Sequence, residues 1–302
     1  MLHVTLRQLQ VFESAARHLS FSRAAEELHL SQPGVSMQIK QLEGAVGQPL
    51  FEQAGKRLFL TEVGREVQRA SQAVAQQLAD LEGTLHDLAG LKQGAITVGV
   101  VSTVSSFAIR LISQFRHLHP EVRITLNVVN REQLLVQLGN NAVDLALMGQ
   151  PPAGHDLEAT PFMENPLVVI APYNHPMSKQ RHISLSRIAE ESFVVREPGS
   201  GTRGATEAFF QSHGLVLRAA MEMNKNEAIK QAVEAGLGLA VVSRHTVTLE
   251  LAARRLTTLD VEGFPIRRQW HLVNRQNKHF SLAAKAFAQF VITQAPRSVG
   301  AP

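Results

Sequence analysis

The chain has 302 residues, 44% of them hydrophobic, with 30 Lys and Arg against 26 Asp and Glu, a formal net charge of +4 and no cysteine. That length predicts two or three domains with ordinary packed cores, and the missing cysteine excludes disulfides, zinc-thiolate sites and thiol nucleophiles. The thirteen histidines show no H-E-x-x-H or other tight ligand spacing, so no metal and no cofactor is expected. No basic segment leads into an apolar stretch at the amino terminus. The longest apolar runs, such as Leu167 to Ala171, fall far short of the ~20 residues of a membrane span. A soluble cytoplasmic protein without a membrane partner is expected. The positive balance permits a polyanionic partner, yet residues 1–92 hold nine basic against ten acidic side chains. Any nucleic-acid contact there must rest on a few placed cations and helix dipoles, because no bulk positive field is available.

Leu6, Leu9, Phe12, Ala16 and Leu19 recur at helical spacing and predict a first amphipathic helix. A short second helix follows over Phe21 to Leu28, capped by Ser20 or Ser22, with Ala24, Ala25 and Leu28 inward. Ser31 then reads as an N-cap with Pro33 in the first turn. Val35, Ile39, Leu42 and Val46 form the buried stripe of a third helix, so Gln32, Ser36, Met37 and Lys40 lie outward. Two short helices around a tight turn, the second small and polar outside, suit entry into a major groove, where Gln and Ser bond base edges. A three-helix packing module with a solvated face is the plainer reading. Apolar ends at Leu50 and Leu60 flank Gln53-Ala54-Gly55-Lys56-Arg57, a hairpin with a basic tip that reads as a wing on backbone or minor groove.

From Thr61, a natural N-cap, a long helix is expected to about Leu91, with Gly64 and Gly83 as weak points. Val63, Val67, Ala70, Val74, Leu78, Leu81, Leu85 and Leu88 line one seam, and the other face is strongly polar. A narrow apolar seam on a wet helix favours pairing with a second chain; packing on its own domain is the alternative.

From Ala95 onward, short β-branched runs alternate with helical stretches, which predicts an α/β domain with mostly parallel strands. In such sheets, ligands bind at strand carboxyl ends and helix amino ends. Ser102 and Thr103 follow the first strand, and Ser200, Gly201, Thr202 and Arg203 follow the strand ending near Val195. Gly199, Gly201 and Gly204 also spell a dinucleotide fingerprint, but Arg196-Glu197-Pro198 separates the strand from the first glycine. A glycine loop that serves only a tight turn is the bland reading, whereas hydroxyls, free N–H groups and Arg203 favour an anion site. No G-x-S-x-G, phosphate-cradling lysine loop, metal triad or carboxylate pair is evident, so an enzyme is not expected. A nicotinamide-dependent oxidoreductase is the weaker alternative.

Leu6-Arg-Gln-Leu-Gln-Val-Phe, Ser20-Phe-Ser-Arg-Ala-Ala-Glu-Glu-Leu, Ser31-Gln-Pro-Gly-Val-Ser, Pro49-Leu-Phe and Leu60-Thr occur in this order, and together they resemble the LysR-type transcriptional regulators. The resemblance implies a winged helix-turn-helix at 1–62, a dimerising linker helix at 63–92 and an effector-binding domain at 93–302. It places Ser31, Gln32, Pro33, Ser36 and Met37 at the DNA, with Lys40, Lys56 and Arg57 near the backbone. At the wing position where many members carry arginine, this chain has Gln53. The C-terminal part, with Gly94-Ala-Ile-Thr-Val-Gly and Gly236-Leu-Gly-Leu-Ala-Val-Val-Ser, looks like the family's sensor. That sensor is similar to periplasmic binding proteins, here with lobes 93–163 plus 268–293 and 164–267. Phe51-Glu-Gln-Ala-Gly-Lys-Arg, Asn130-Arg-Glu-Gln-Leu, Arg196-Glu-Pro-Gly-Ser-Gly-Thr-Arg and Asn226-Glu-Ala-Ile-Lys-Gln-Ala-Val resemble the branch that activates Calvin-cycle (RuBisCO) carbon-fixation operons. Asn130 and Arg196 thereby join the expected effector set. The resemblance implies an activator that partners double-stranded DNA, RNA polymerase and its own copies as homodimer or homotetramer, and that answers to a phosphorylated metabolite or NADPH. Regulation of another metabolic operon by a carboxylate effector is the alternative within the family.

Overall fold

The computed structural model describes residues 3–54, 57–88 and 94–299, without the side chains of 54, 79–80, 82–88 and 297–299. The chain forms two compact units, residues 1–85 with 140–142 and the remainder.

In the first unit, α1 (Leu6–His18) starts at a capping box: Gln8 N–H donates to Thr5 Oγ1 at 3.2 Å and Thr5 N–H to Gln8 Oε1 at 2.8 Å. Ser20 caps α2 (Phe21–Glu27), and Ser31 caps α3 (Gln32–Val46), whose first turn holds Pro33. The three helices bury Val11, Phe12, Ala15, Ala24, Val35 and Leu42 against one another. The expected stripe of the first helix is corrected at both ends. Leu6 and Leu19 are exposed, because they stand at the first position and the C-cap, beyond the turns that the other helices cover. The antiparallel hairpin β1 (Phe51–Ala54) and β2 (Arg57–Leu60) follows in the register Phe51↔Leu60. It is docked through Phe51, whose ring lies 5.4 Å from Phe12 and 5.2 Å from Phe21. The tip residues Gly55 and Lys56 lie outside the described residues.

The long helix α4 (Glu62–Leu88) begins under a cap made by Thr61, whose Oγ1 accepts from Gly64 N–H at 2.9 Å and donates to Pro49 O at 2.8 Å. Val63 and Val67 pack on the core of the first unit, so this end of the seam is a docking face. Further along, Leu78 and Leu81 are 37% and 52% exposed; the side chains of Leu85 and Leu88 lie outside the described residues.

In the second unit the order is β3 (Ala95–Val101), α5 (Ser105–Leu118), β4 (Arg123–Val129), α6 (Arg131–Gly139), β5 (Leu145–Gly149), β6 (Leu157–Glu164), β7 (Leu167–Pro172), α7 (Leu185–Ala189) and β8 (Phe193–Arg196). Then come α8 (Gly201–Ser212), β9 (Ala219–Met223), α9 (Asn226–Glu234), β10 (Ala240–Ser243), α10 (Thr248–Ala252), β11 (Leu256–Thr258), β12 (Gln269–Arg275) and α11 (Leu282–Val299). One sheet has the order β4-β3-β5-β12-β6. The strands β10-β7-β11 and β8-β9 are stitched by the parallel bridge Phe193↔Leu239, giving β9-β8-β10-β7-β11. Each sheet thus repeats one plan: three parallel strands, then a strand arriving from the other sheet, antiparallel to both its neighbours. The expectation of mostly parallel strands holds in direction: in each sheet four of the five strands run the same way, and the one that crosses over from the other sheet opposes them. A strand that crosses over from a neighbouring sheet enters from the opposite end.

Three elements, β6, β11 and α7, carry little signal in the sequence. β6 is an edge strand, mostly exposed and interrupted by Pro161, so it carries no apolar alternation; β11 and α7 span three and five residues. Helices α5 and α11 cover one face of the first sheet through Phe107, Leu111, Phe115 and Phe287, and α6 covers the other through Leu134 and Leu138.

Gly64, read from sequence as a weak point, is a packing requirement. It is buried, and a Cβ there would collide with the carbonyl oxygen of Leu50. Gly64→Ala is expected to destabilise the N-terminal unit by about 1–3 kcal/mol despite alanine's better helix propensity, measured as a lower urea midpoint with α4 partly undocked.

Candidate functional site

Two surfaces carry chemistry. The first is the outer face of α3. Buried Val35, Ile39 and Leu42 anchor the helix, which leaves Gln32, Pro33, Met37 and Lys40 exposed and Ser36 half-buried on the opposite side. The Ser31 hydroxyl accepts from Gly34 N–H at 3.2 Å, so its first role is to cap the helix end that faces outward. Lys40 and Arg57 are exposed and make no ion pair among the described residues. Below them the scaffold is locked by Glu27, which accepts from Arg17 at 2.6 Å, His18 at 2.7 Å and Ser14 at 2.9 Å. These bonds, that of Arg17 foremost, hold its carboxyl down at about 2.

The second surface is a narrow cleft between the two sheets of the C-terminal unit. It opens where the repeated plan puts equivalent ends together. Ser102 and Thr103 follow β3, Arg196 ends β8, and Ser200, Gly201 and Thr202 start α8. Asn130 precedes α6 and its side chain caps Gln133 N–H at 2.9 Å. These seven expected residues meet around one space. Arg203 does not line it, and the expectation that it binds a phosphate is corrected. Its guanidinium donates to Glu207 at 2.7 Å, Glu222 at 2.6 Å and the Arg196 carbonyl at 3.0 Å. Both carboxylates raise its pKa, Glu207 most. The buried Arg196 is also occupied: its Nε and Nη2 form a two-pronged pair with Glu197 at 2.7 and 2.9 Å, and it reaches Asn226 at 2.8 Å. A further bond, from Arg196 Nη2 to Ser102 Oγ at 3.0 Å, ties the second sheet to the first.

The cations available to a ligand are two that the sequence reading passed over, Arg131 and Arg268. Arg131 opens α6, and Arg268 stands just before β12 where the chain crosses back to the first sheet. Neither pairs with a carboxylate among the described residues. Arg131 donates to the Gln150 carbonyl at 3.3 Å and leaves its buried Nε unpartnered. Arg268 donates to the Gly201 carbonyl across the cleft at 2.9 Å. Burial, and then the like charge of Arg131, push the Arg268 pKa down. Burial lowers His271 as well, reinforced by Arg268 and opposed by its bond to the Gln269 carbonyl. The Arg268 guanidinium lies against Gly149: a Cβ there would sit 2.8 Å from Nη2, so the group would have to shift. The glycines of the loop before α8 have the same use, since Gly199 and Gly201 abut the side chains of Glu132 and Arg131 from the opposite sheet. That accounts for two of the three glycines of the fingerprint-like spacing; a Cβ at Gly204 would meet open space. Among the described residues no histidine or carboxylate cluster could hold a metal ion, and no helix is long and apolar enough to cross a membrane.

Residues 6–65 match the family described as bacterial regulatory helix-turn-helix protein, lysR family, and residues 89–296 match the LysR substrate binding domain. The chain is 56% identical to the RuBisCO operon transcriptional regulator of Allochromatium vinosum, covering 98% of each. It is 43% identical to the HTH-type transcriptional activator CmpR of Synechocystis, covering 96% of each. Among solved structures, the CcmR regulatory domain of Synechocystis in complex with 2-PG superposes with a TM-score of 0.64 and 38% identity, over 66% of this chain and 96% of that one. Full-length CbnR complexed with its target DNA superposes with a TM-score of 0.71 over 98% of this chain and 100% of that one; at 17% identity it shows the fold alone.

An uncompensated arginine pair predicts stabilisation by simple oxyanions. Inorganic phosphate at a hundred times its dissociation constant should add about 2.7 kcal/mol to folding stability, read as a rise in melting temperature over chloride at equal ionic strength. Arg268→Gln should lose that rise and Arg203→Gln should keep it.

Proposed function

The chain belongs to the LysR family of transcriptional regulators, and from that premise we propose that it activates carbon-fixation genes in response to a small phosphorylated metabolite held between the two sheets. The observation that carries the effector is the cleft's charge: Arg131 and Arg268 pair with no carboxylate among the described residues, and the amino end of α8 adds N–H groups and a partial positive charge. The likeness to regulators of RuBisCO operons and to a domain in complex with 2-PG points the same way.

In this reading residues 1–62 are the DNA reader, 63–92 the pairing helix and 93–302 the effector domain, with lobes 93–163 plus 268–293 and 164–267. The exposed Leu78 and Leu81 of α4 meet a second copy, so that a homodimer or homotetramer in the cytoplasm presents paired readers to DNA and RNA polymerase. Gln32, Pro33, Ser36 and Met37 face base edges; Ser31, Lys40, Lys56 and Arg57 hold the backbone. A ligand that prefers one lobe arrangement shifts that population and with it the spacing of the readers. The test is footprinting of the chain on a carbon-fixation promoter with and without phosphorylated metabolites. Gln32→Ala should lose roughly 1–3 kcal/mol for the specific site while binding random duplex as before. Arg131→Ala should keep effector-free binding and lose the metabolite's effect on the footprint. An unchanged sequence preference in Gln32→Ala would remove α3 from base reading.

A further inference from the structure

Once the arginines are assigned to an anion, other polar groups of the same cleft are still unaccounted for. Asn165 and Trp270 both line it, each only 2% exposed. Asn165 sits where the chain passes from the first sheet to the second, held by its own N–H on the Arg268 carbonyl at 2.7 Å. Trp270 lies two residues after Arg268, on the strand that makes the return crossing, with its ring 6.1 Å from that of Phe107. The backbone of each is therefore fixed. Yet Asn165 Oδ1 and Trp270 Nε1 are both buried without a hydrogen-bond partner. A buried polar atom left unpaired costs on the order of 1–3 kcal/mol, so two such atoms on residues that line one cleft point to a group that pairs with them when the cleft is filled.

Their chemistry differs from that of the arginines. Arg131, Arg268 and the α8 amide groups offer only donors, which any oxyanion satisfies. Trp270 Nε1 is a neutral donor and Asn165 Oδ1 is an acceptor. A fully ionised phosphate or carboxylate has no hydrogen to give Asn165 and would set its own oxygens against that carbonyl. An alcohol hydroxyl supplies the missing hydrogen and keeps lone pairs for a donor such as the indole N–H. Resting on the reading of this cleft as an anion site, we propose that Asn165 and Trp270 are specificity-determining residues that select an effector carrying a hydroxyl beside its anionic group. The arginines then supply affinity common to all small phosphates, and the pair at the two crossings decides among them. Sites built to bond a hydroxyl reject the analogue lacking it far more strongly than apolar pockets reject an added group.

The single tryptophan of the chain is the reporter, since Trp270 itself lines the cleft. Full-length protein is titrated by tryptophan fluorescence with inorganic phosphate, with 2-hydroxyethyl phosphate, and with propyl phosphate, which replaces the hydroxyl by a methyl of similar size. The expected result is at least about tenfold tighter binding of the hydroxyethyl ester than of the propyl ester. In Asn165→Leu, checked for retained phosphate binding, the two esters should bind alike. Equal affinities in the unaltered protein, with phosphate still binding, would overturn the hydroxyl selection and leave the anion site standing. Discrimination that survives in Asn165→Leu would overturn the role of Asn165. Failure of phosphate and both esters to bind would remove the anion site itself, and the selection with it.

Discussion

The C-terminal unit depends on two guanidinium groups kept close together with no carboxylate paired to either among the described residues. Arg131 and Arg268 come from different parts of the chain, and the like charge of the first helps depress the pKa of the second. Folding tolerates that repulsion because each guanidinium has a carbonyl to donate to, Gln150 for Arg131 and Gly201 for Arg268. The contrast with Arg196 and Arg203 is instructive. Those two are matched by Glu197, Glu207 and Glu222 within their own sheet's elements, so neither has charge to spare, and only Arg196 reaches the cleft wall. Charge left over after internal pairing is what a cleft can offer a ligand.

The repeated plan of the sheets explains why that charge lies at the crossings. In each sheet the first strand is followed by a loop and the amino end of a helix, and the strand from the other sheet arrives beside the third. The cleft therefore gathers β3 and β8 ends together with both crossing segments, where Asn165 and Arg268 sit. A change in how the two sheets approach must pass through those segments. A ligand held by Arg268 and Asn165 bears directly on them, which gives the site leverage over lobe arrangement.

Much of this was legible in the sequence and some was not, for reasons that can be named. The third helix was readable from Ser31, Pro33 and the Val35–Ile39–Leu42 stripe, because a cap and a buried face are local signals. Ser102, Thr103 and Ser200 to Thr202 followed from the rule that α/β sheets bind at strand ends. Arg268 was hidden, since its importance arises from a crossing strand 67 residues from its Gly201 partner. Arg203 was misjudged although a local sign existed: Glu207, one helical turn on, is placed to take its charge. Arg131 lay beside the noted Asn130, at the same kind of strand end, and could have been drawn from that rule. Asn165 and Trp270 had no sequence signal, because an unpaired buried atom is visible only in three dimensions.

The central claim is that one anion is gripped from both sheets at once. Backbone hydrogen exchange of the full-length protein with and without inorganic phosphate measures it most directly. Protection should rise together at residues 102–104 and 131–134 of the first sheet's side and at 201–204 of the second's, and Arg268→Gln should lose it on both sides. Protection confined to one side, or unchanged in Arg268→Gln, would contradict the account.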